Sequence, residues 1–203
     1  MFFTNKPTQI TGVKTVQFTR FDLVQELFNS HPDLVHEYVV ILLTRDPRGT
    51  WNSCRRHEGW READPHYLCD KFMDITTKLT ALVQMYTDIP VMVMYYEYMV
   101  TLQPEEYQQI LFRFADVPMN TKEIERENAT KTMMGDKTDA MQYANRWINE
   151  MNLSEIQHIQ EIPHCKEWIE RFHFDIVNET NYEHFNHLSV EEMTSQMFNF
   201  PLH

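Results

Sequence analysis

The sequence predicts an α/β fold, a parallel sheet flanked by helices. Two observations carry that expectation. Residues 37–44 and 90–96 are near-continuous apolar runs of strand length, the pattern of strands covered on both faces. Around and between them lie segments whose apolar residues recur at helical spacing, so the order reads strand–helix–strand–helix–strand–helix. Strands separated by a helix have the chain length needed to cross over and pair in parallel.

The elements follow in order. Gly12 precedes an alternating run at 13–18 that reads as a strand. Residues 20–29 place Phe21, Val24, Leu27 and Phe28 on one helical face, closed by His31-Pro32. The apolar run at 37–44 ends at Arg45-Asp46-Pro47, where Asp46 suits an N-cap and Pro47 a first helical position. A longer helix over 66–85 turns Leu68, Phe72, Ile75, Leu79, Leu82 and Val83 to one side. The strand at 90–96 follows, and Pro104 then opens a helix through Phe114 with Tyr107, Ile110 and Leu111 inward. Residues 120–138 are polar and weakly periodic. Helix resumes at Trp147 and restarts at Leu153-Ser154-Glu155, and Pro163 interrupts it before 164–172. The expected organisation is one domain over 1–203, with a core at about 12–177 and an irregular acidic tail at 178–203.

Composition narrows the function classes. The chain has 203 residues, 42% hydrophobic and 13% aromatic, which supports a real core and excludes disorder. The net charge of −12 argues against a non-specific grip on nucleic acid or anionic membrane. No apolar run approaches the ~20 residues that span a bilayer, and no signal peptide is visible, so no membrane insertion is expected. Three sequons, at Asn128, Asn152 and Asn178, point weakly toward a secretory setting. Methionines such as Met73, Met85, Met92 and Met94 fall on apolar faces and read as core filling.

Against that acidic background, five of the ten arginines (Arg45, Arg48, Arg55, Arg56 and Arg61) fall within 17 residues. They follow a buried strand and open a helix, where open α/β sheets bind ligands. A helix N-terminus offers free N–H groups and partial positive charge to an anion. Gly49 and Ser53 share a helix face, and a glycine one turn before the serine is expected to leave an anion room to reach its hydroxyl. The plain alternative is a solvated cluster paired with some of the 30 carboxylates.

The string from Val39 through Arg45-Asp46-Pro47-Arg48 to Ser53 resembles the segment with which sulfotransferases bind the 3′-phosphate of their donor, 3′-phosphoadenosine 5′-phosphosulfate. The Arg-Asp-Pro-Arg wording is similar to the Golgi carbohydrate branch, in particular the galactose and N-acetylglucosamine 6-O-sulfotransferases. Further similarities are Lys14-Thr15-Val16, Leu68-Cys69-Asp70, Tyr96-Glu97-Tyr98, Trp147, Leu153-Ser154 and Cys165, so the resemblance covers roughly 12–177. It implies a P-loop-like sulfotransferase fold, with Arg45 and Ser53 as 3′-phosphate ligands and Arg48 in support. It also implies a glycan acceptor, a Golgi lumenal setting, no metal, and homo- or hetero-oligomers with family members as partners.

The chain departs from that pattern near its start. Asn5-Lys6-Pro7-Thr8 is not the serine- and glycine-rich loop that cradles the 5′-phosphosulfate, so an N-terminally truncated member is expected. Two functions follow: sulfuryl transfer to a carbohydrate hydroxyl, or a non-catalytic homologue that binds the nucleotide or a partner sulfotransferase without turnover. A third reading is an anion-binding surface unrelated to sulfation. No general base is evident; His57 and Glu58 read either as acceptor-side groups or as a solvated helix end. His173-Phe174 stands where the family has glycine–tyrosine. Cys69 and Cys165 read either as a disulfide, if the chain enters the lumen, or as two buried small hydrophobes. Tyr95, Tyr96 and Tyr98 read as nucleotide-pocket or strand-packing residues, and Lys131, Thr132 and Lys137 as nucleotide contacts or a solvated loop. His57, His66 and Cys69 match no compact zinc spacing.

Overall fold

The computed structural model describes residues 2–4, 21–57, 64–100, 102, 104–116 and 143–185. Its centre is a parallel pair, β2 (Tyr38–Thr44) and β3 (Val91–Tyr95), with Val40 opposite Val91 and Thr44 opposite Tyr95. A short β1 (Phe2–Thr4) pairs antiparallel with β2, Phe2 opposite Val40. Among the described residues the sheet is therefore mixed, in the order β1-β2-β3, where the sequence predicted parallel strands throughout. Three residues are too few to show a period, which is why β1 escaped the pattern. The strand expected at 13–18 lies outside the described residues.

The helices form where their caps allow. Helix α1 (Phe21–Ser30) buries Val24 and Phe28 and leaves Leu27 exposed, contrary to its expected inward position. A 3₁₀ turn at Pro32–Glu37 leads into β2. Helix α2 (Pro47–Cys54) starts as the sequence predicts, with proline in its first turn and the Asp46 side chain accepting from the Arg48 N–H. Helix α3 (Pro65–Met85) is capped by Asp64, whose side chain accepts from the Tyr67 N–H. Caps of this kind are each worth about 1 kcal/mol. Helix α4 (Tyr96–Met99) continues directly from β3, and α5 (Pro104–Phe114) follows. Helices α6 (Arg146–Glu150), α7 (Leu153–Glu161) and α8 (Pro163–Arg171) follow, and a 3₁₀ turn at Tyr182–His184 lies near the end of the described residues. Asn152 and Glu155 form a reciprocal capping box at α7, and Pro163 separates α7 from α8.

Buried side chains from Val24 to Phe185 join in one hydrophobic cluster. β3 is buried from Met92 to Tyr95, but β2 is not buried along its whole run, because Leu43 is 47% exposed. On α3 the inward stripe is Cys69, Met73, Thr76, Leu79 and Leu82, flanked by the half-buried Phe72, Ile75 and Val83. Met85, read as core, is exposed at the end of that helix.

Cys69 and Cys165 form a disulfide that ties α3 to α8, their Cα atoms 5.0 Å apart. This decides between the two sequence readings of that pair. Closing a loop across 96 positions stabilises on the order of 4 kcal/mol by restricting the unfolded chain. One turn along, Phe72 stacks on Trp168 at 3.7 Å between centroids, and the Trp168 indole N–H donates to Thr44 Oγ1 at 3.1 Å. Thr44 is the last residue of β2, so the bridge and the stack fix the strand end from which Arg45 projects.

Candidate anion-binding site

The segment after β2 begins with a buried electrostatic knot. Asp46 is fully buried and caps α2 through the Arg48 N–H at 2.8 Å. The same carboxylate takes two more bonds from the Arg48 side chain, Nε at 2.9 Å and Nη2 at 2.5 Å. Arg48 Nη1 donates to Gln160 Oε1, which also accepts from the Val177 N–H, and the guanidinium lies 4.6 Å from the centroid of the Trp147 ring. All three nitrogens of Arg48 are thus bound, and the residue is 0% exposed. It is a structural arginine that neutralises Asp46. The supporting anion contact expected of it does not fit this position, because no surface of its guanidinium faces solvent.

Arg45 differs. Its Nη2 donates to the Ala144 carbonyl at 3.2 Å and its guanidinium covers the Tyr96 ring at 4.5 Å. The buried Nε has no hydrogen-bond partner among the described residues. Arg45 lines a cleft together with Asn52, Ser53, Arg56, His57, Tyr143 and Arg146; its empty volume is ≈ 360 Å³, open mouth included. The two residues assigned by resemblance, Arg45 and Ser53, therefore share one wall.

The positive potential of the cleft comes from side chains and not from the helix end. The N-terminus of α2 is already met by Asp46, and the cleft residues Asn52, Ser53, Arg56 and His57 lie toward its C-terminal side. The expected helix-dipole contribution is thereby corrected. Glycine 49 is corrected too: a Cβ there would stand 2.9 Å from Trp147 Cδ1 and 3.3 Å from Arg45 Nε. The missing side chain makes room for the tryptophan edge and the arginine, not for an anion.

Glu150 organises the cationic wall. It pairs with Arg56, takes Arg146 Nε at 2.8 Å and accepts from Asn52 Nδ2 at 2.8 Å. One carboxylate thus serves two guanidiniums, and with Arg45 the cations outnumber it. Arg56 titrates below the ordinary arginine value, through burial first and then the like charges of Arg146 and Arg55. Arg55 turns away, bonded to Glu155 at 3.2 Å and to the Glu150 carbonyl at 3.3 Å. Such crowding of guanidiniums is relieved by a bound anion.

Behind Arg45 sits Glu97, first residue but one of α4 and 2% exposed. Its Oε1 accepts from the Asp46 N–H at 3.0 Å, while Oε2 is buried without a hydrogen-bond partner among the described residues. Burial, and secondarily the Asp46 charge, push its carboxyl up to about 7. Burial likewise raises the free Cys54 thiol, with Arg45 pulling the other way. Tyr95, raised by burial and then by Glu97, is a packing residue whose hydroxyl donates to the Phe172 carbonyl at 3.3 Å.

The sequence reading missed Asn52, Tyr143, Arg146 and Glu150. Arg146 and Glu150 stand four apart, a spacing that signals an ion pair on a helix, and Arg146 immediately precedes the already conspicuous Trp147. Arg61, Glu58, Lys131, Thr132, Lys137 and Lys14-Thr15-Val16 lie outside the described residues. Among the described residues no group of three or more His, Cys, Asp and Glu is placed to hold a metal, and no helix is long and apolar enough to cross a membrane. No family model matches the chain, and no curated protein or solved structure is matched either.

Proposed function

We propose that the chain is a sulfotransferase-like protein that holds the 3′-phosphate of 3′-phosphoadenosine 5′-phosphosulfate in this cleft and serves sulfuryl transfer to a carbohydrate hydroxyl. The observation that carries the reading is the shared wall of Arg45 and Ser53, reinforced by Arg56 and Arg146. Arg45 supplies a charge-assisted fork from the strand end, and Ser53 a neutral hydroxyl one helix face away. The donor would bring the transferable sulfuryl group; in the displacement the sugar oxygen would bond to sulfur and give up its hydroxyl proton to a base as the sulfur–oxygen bond to the 5′-phosphate breaks, the bisphosphate nucleotide leaving with the electron pair. The Cys69–Cys165 disulfide suits an oxidising compartment such as the Golgi lumen, where glycan acceptors are found.

Calorimetric titration of 3′-phosphoadenosine 5′-phosphate into the wild type and an Arg45→Ala variant tests the site, with adenosine 5′-phosphate as the control lacking the 3′ group. Binding that needs both the 3′-phosphate and Arg45 supports it. Equal affinity for the two nucleotides, or for the two proteins, overturns it. Sulfate transfer from labelled donor to a galactose- or N-acetylglucosamine-bearing acceptor then separates an enzyme from a homologue that binds without turnover.

A further inference from the structure

We propose that Asn178 carries an N-linked glycan. Asn178-Glu179-Thr180 is a complete acceptor triplet. All three residues are exposed, in a turn just outside the buried anchor Val177. The turn is held from within. Gln160 accepts from the Val177 N–H and donates to its carbonyl, both at 2.8 Å, and the Tyr182 hydroxyl donates to the Met151 carbonyl at 2.9 Å. Asn178 Oδ1 accepts from the Thr180 N–H at 2.9 Å and from Thr180 Oγ1 at 2.6 Å. Its Nδ2 makes no hydrogen bond among the described residues, so a substituent there breaks nothing that holds the turn. Two residues earlier Ile176 is 47% exposed, an apolar surface that a neighbouring sugar would shield.

A second, separate observation places the triplet where such chemistry occurs. The Cys69–Cys165 disulfide is formed and kept in the oxidising compartments through which secreted and lumenal chains pass. The other triplets differ from this one. Asn152 uses its Oδ1 on the Glu155 N–H to cap α7, and its Ser154 lies inside that helix; Asn128 is outside the described residues. In the modification, Asn178 Nδ2 forms a bond to the anomeric carbon of a lipid-linked pyrophosphoryl oligosaccharide. The bond from that carbon to the phosphate oxygen breaks, the lipid pyrophosphate leaves with the electron pair, and Nδ2 gives up one proton.

The test uses the full-length protein, tagged and purified from its own cells and treated with an amidase that releases N-glycans. The expected result is a downward shift in apparent mass, with Asn178 recovered as Asp in the peptide mass spectrum. Asn178→Gln and Thr180→Ala should each abolish the conversion at this position, and Thr180→Ser should retain it. Recovery of the 178 peptide unmodified before treatment, or sugar confined to Asn128 and Asn152, overturns the assignment. The result does not depend on whether the cleft binds a nucleotide.

Discussion

On the inner side of α2, Arg48 is wholly enclosed, its charge cancelled by Asp46 and its remaining donor held by Gln160. Three positions earlier in the same motif, Arg45 stays on a cleft wall, bonded to the Ala144 carbonyl with a tyrosine face beneath it. The two side chains have the same chemistry and near-identical sequence surroundings. Their difference teaches that a cluster of arginines after a strand is not one feature. A guanidinium whose counter-charge is built into the chain serves the fold; one left among like charges keeps its capacity to take up an anion.

The sharpest way to break this contrast is Arg48→Ala. Removing it leaves Asp46 buried beside Glu97 without its cation, so stability should fall by about 3–5 kcal/mol, read by urea or thermal unfolding. If the loss is under about 1 kcal/mol, Arg48 is not the structural member of the pair.

Glu97 tests the same knot by pH. Its folded carboxyl titrates near 7, above the ordinary value of 4.5, so the folded state binds the proton more tightly than the unfolded state. The associated stability is present at low pH and is lost as pH rises from about 4.5 through 7, by on the order of 3 kcal/mol. Glu97→Gln should flatten that part of the stability–pH curve, and an unchanged slope would assign it to other groups.

Arg45→Ala should do the reverse of Arg48→Ala. Unfolding should move by no more than about 1 kcal/mol, while affinity for 3′-phosphoadenosine 5′-phosphate weakens by at least about 2 kcal/mol. The smallest effect belongs to Ser53→Ala, a neutral donor on the rim, at about 1 kcal/mol in binding and less in stability. Should Ser53→Ala exceed Arg45→Ala, charge is not what the cleft contributes.

Much of the local structure was legible beforehand because its causes are local. Asp46 before Pro47 starts α2, Leu153-Ser154-Glu155 starts α7, and Pro163 divides α7 from α8. The apolar runs gave β2 and β3, and the resemblance singled out Arg45 and Ser53. Less legible were features set by distant neighbours. Leu27, Leu43 and Met85 fit their periodic patterns yet are exposed, since a pattern says which residues share a face and not whether another element covers it.

Local chain chemistry thus suffices for an α/β chain, a helix beginning at Asp46-Pro47 and an arginine cluster at the end of a strand in an acidic protein. Which arginine is interior depends on residues far away in the chain. Gln160 lies 112 positions from Arg48, and Ala144 lies 99 from Arg45. The tertiary structure also gave Gly49 its reason, a tryptophan edge brought against it from α6, and assembled a cationic wall from Arg56 and Arg146 around Glu150. Capping and periodicity act within a turn or two of chain, whereas charge pairing and close packing act through space, between segments whose meeting no short window records.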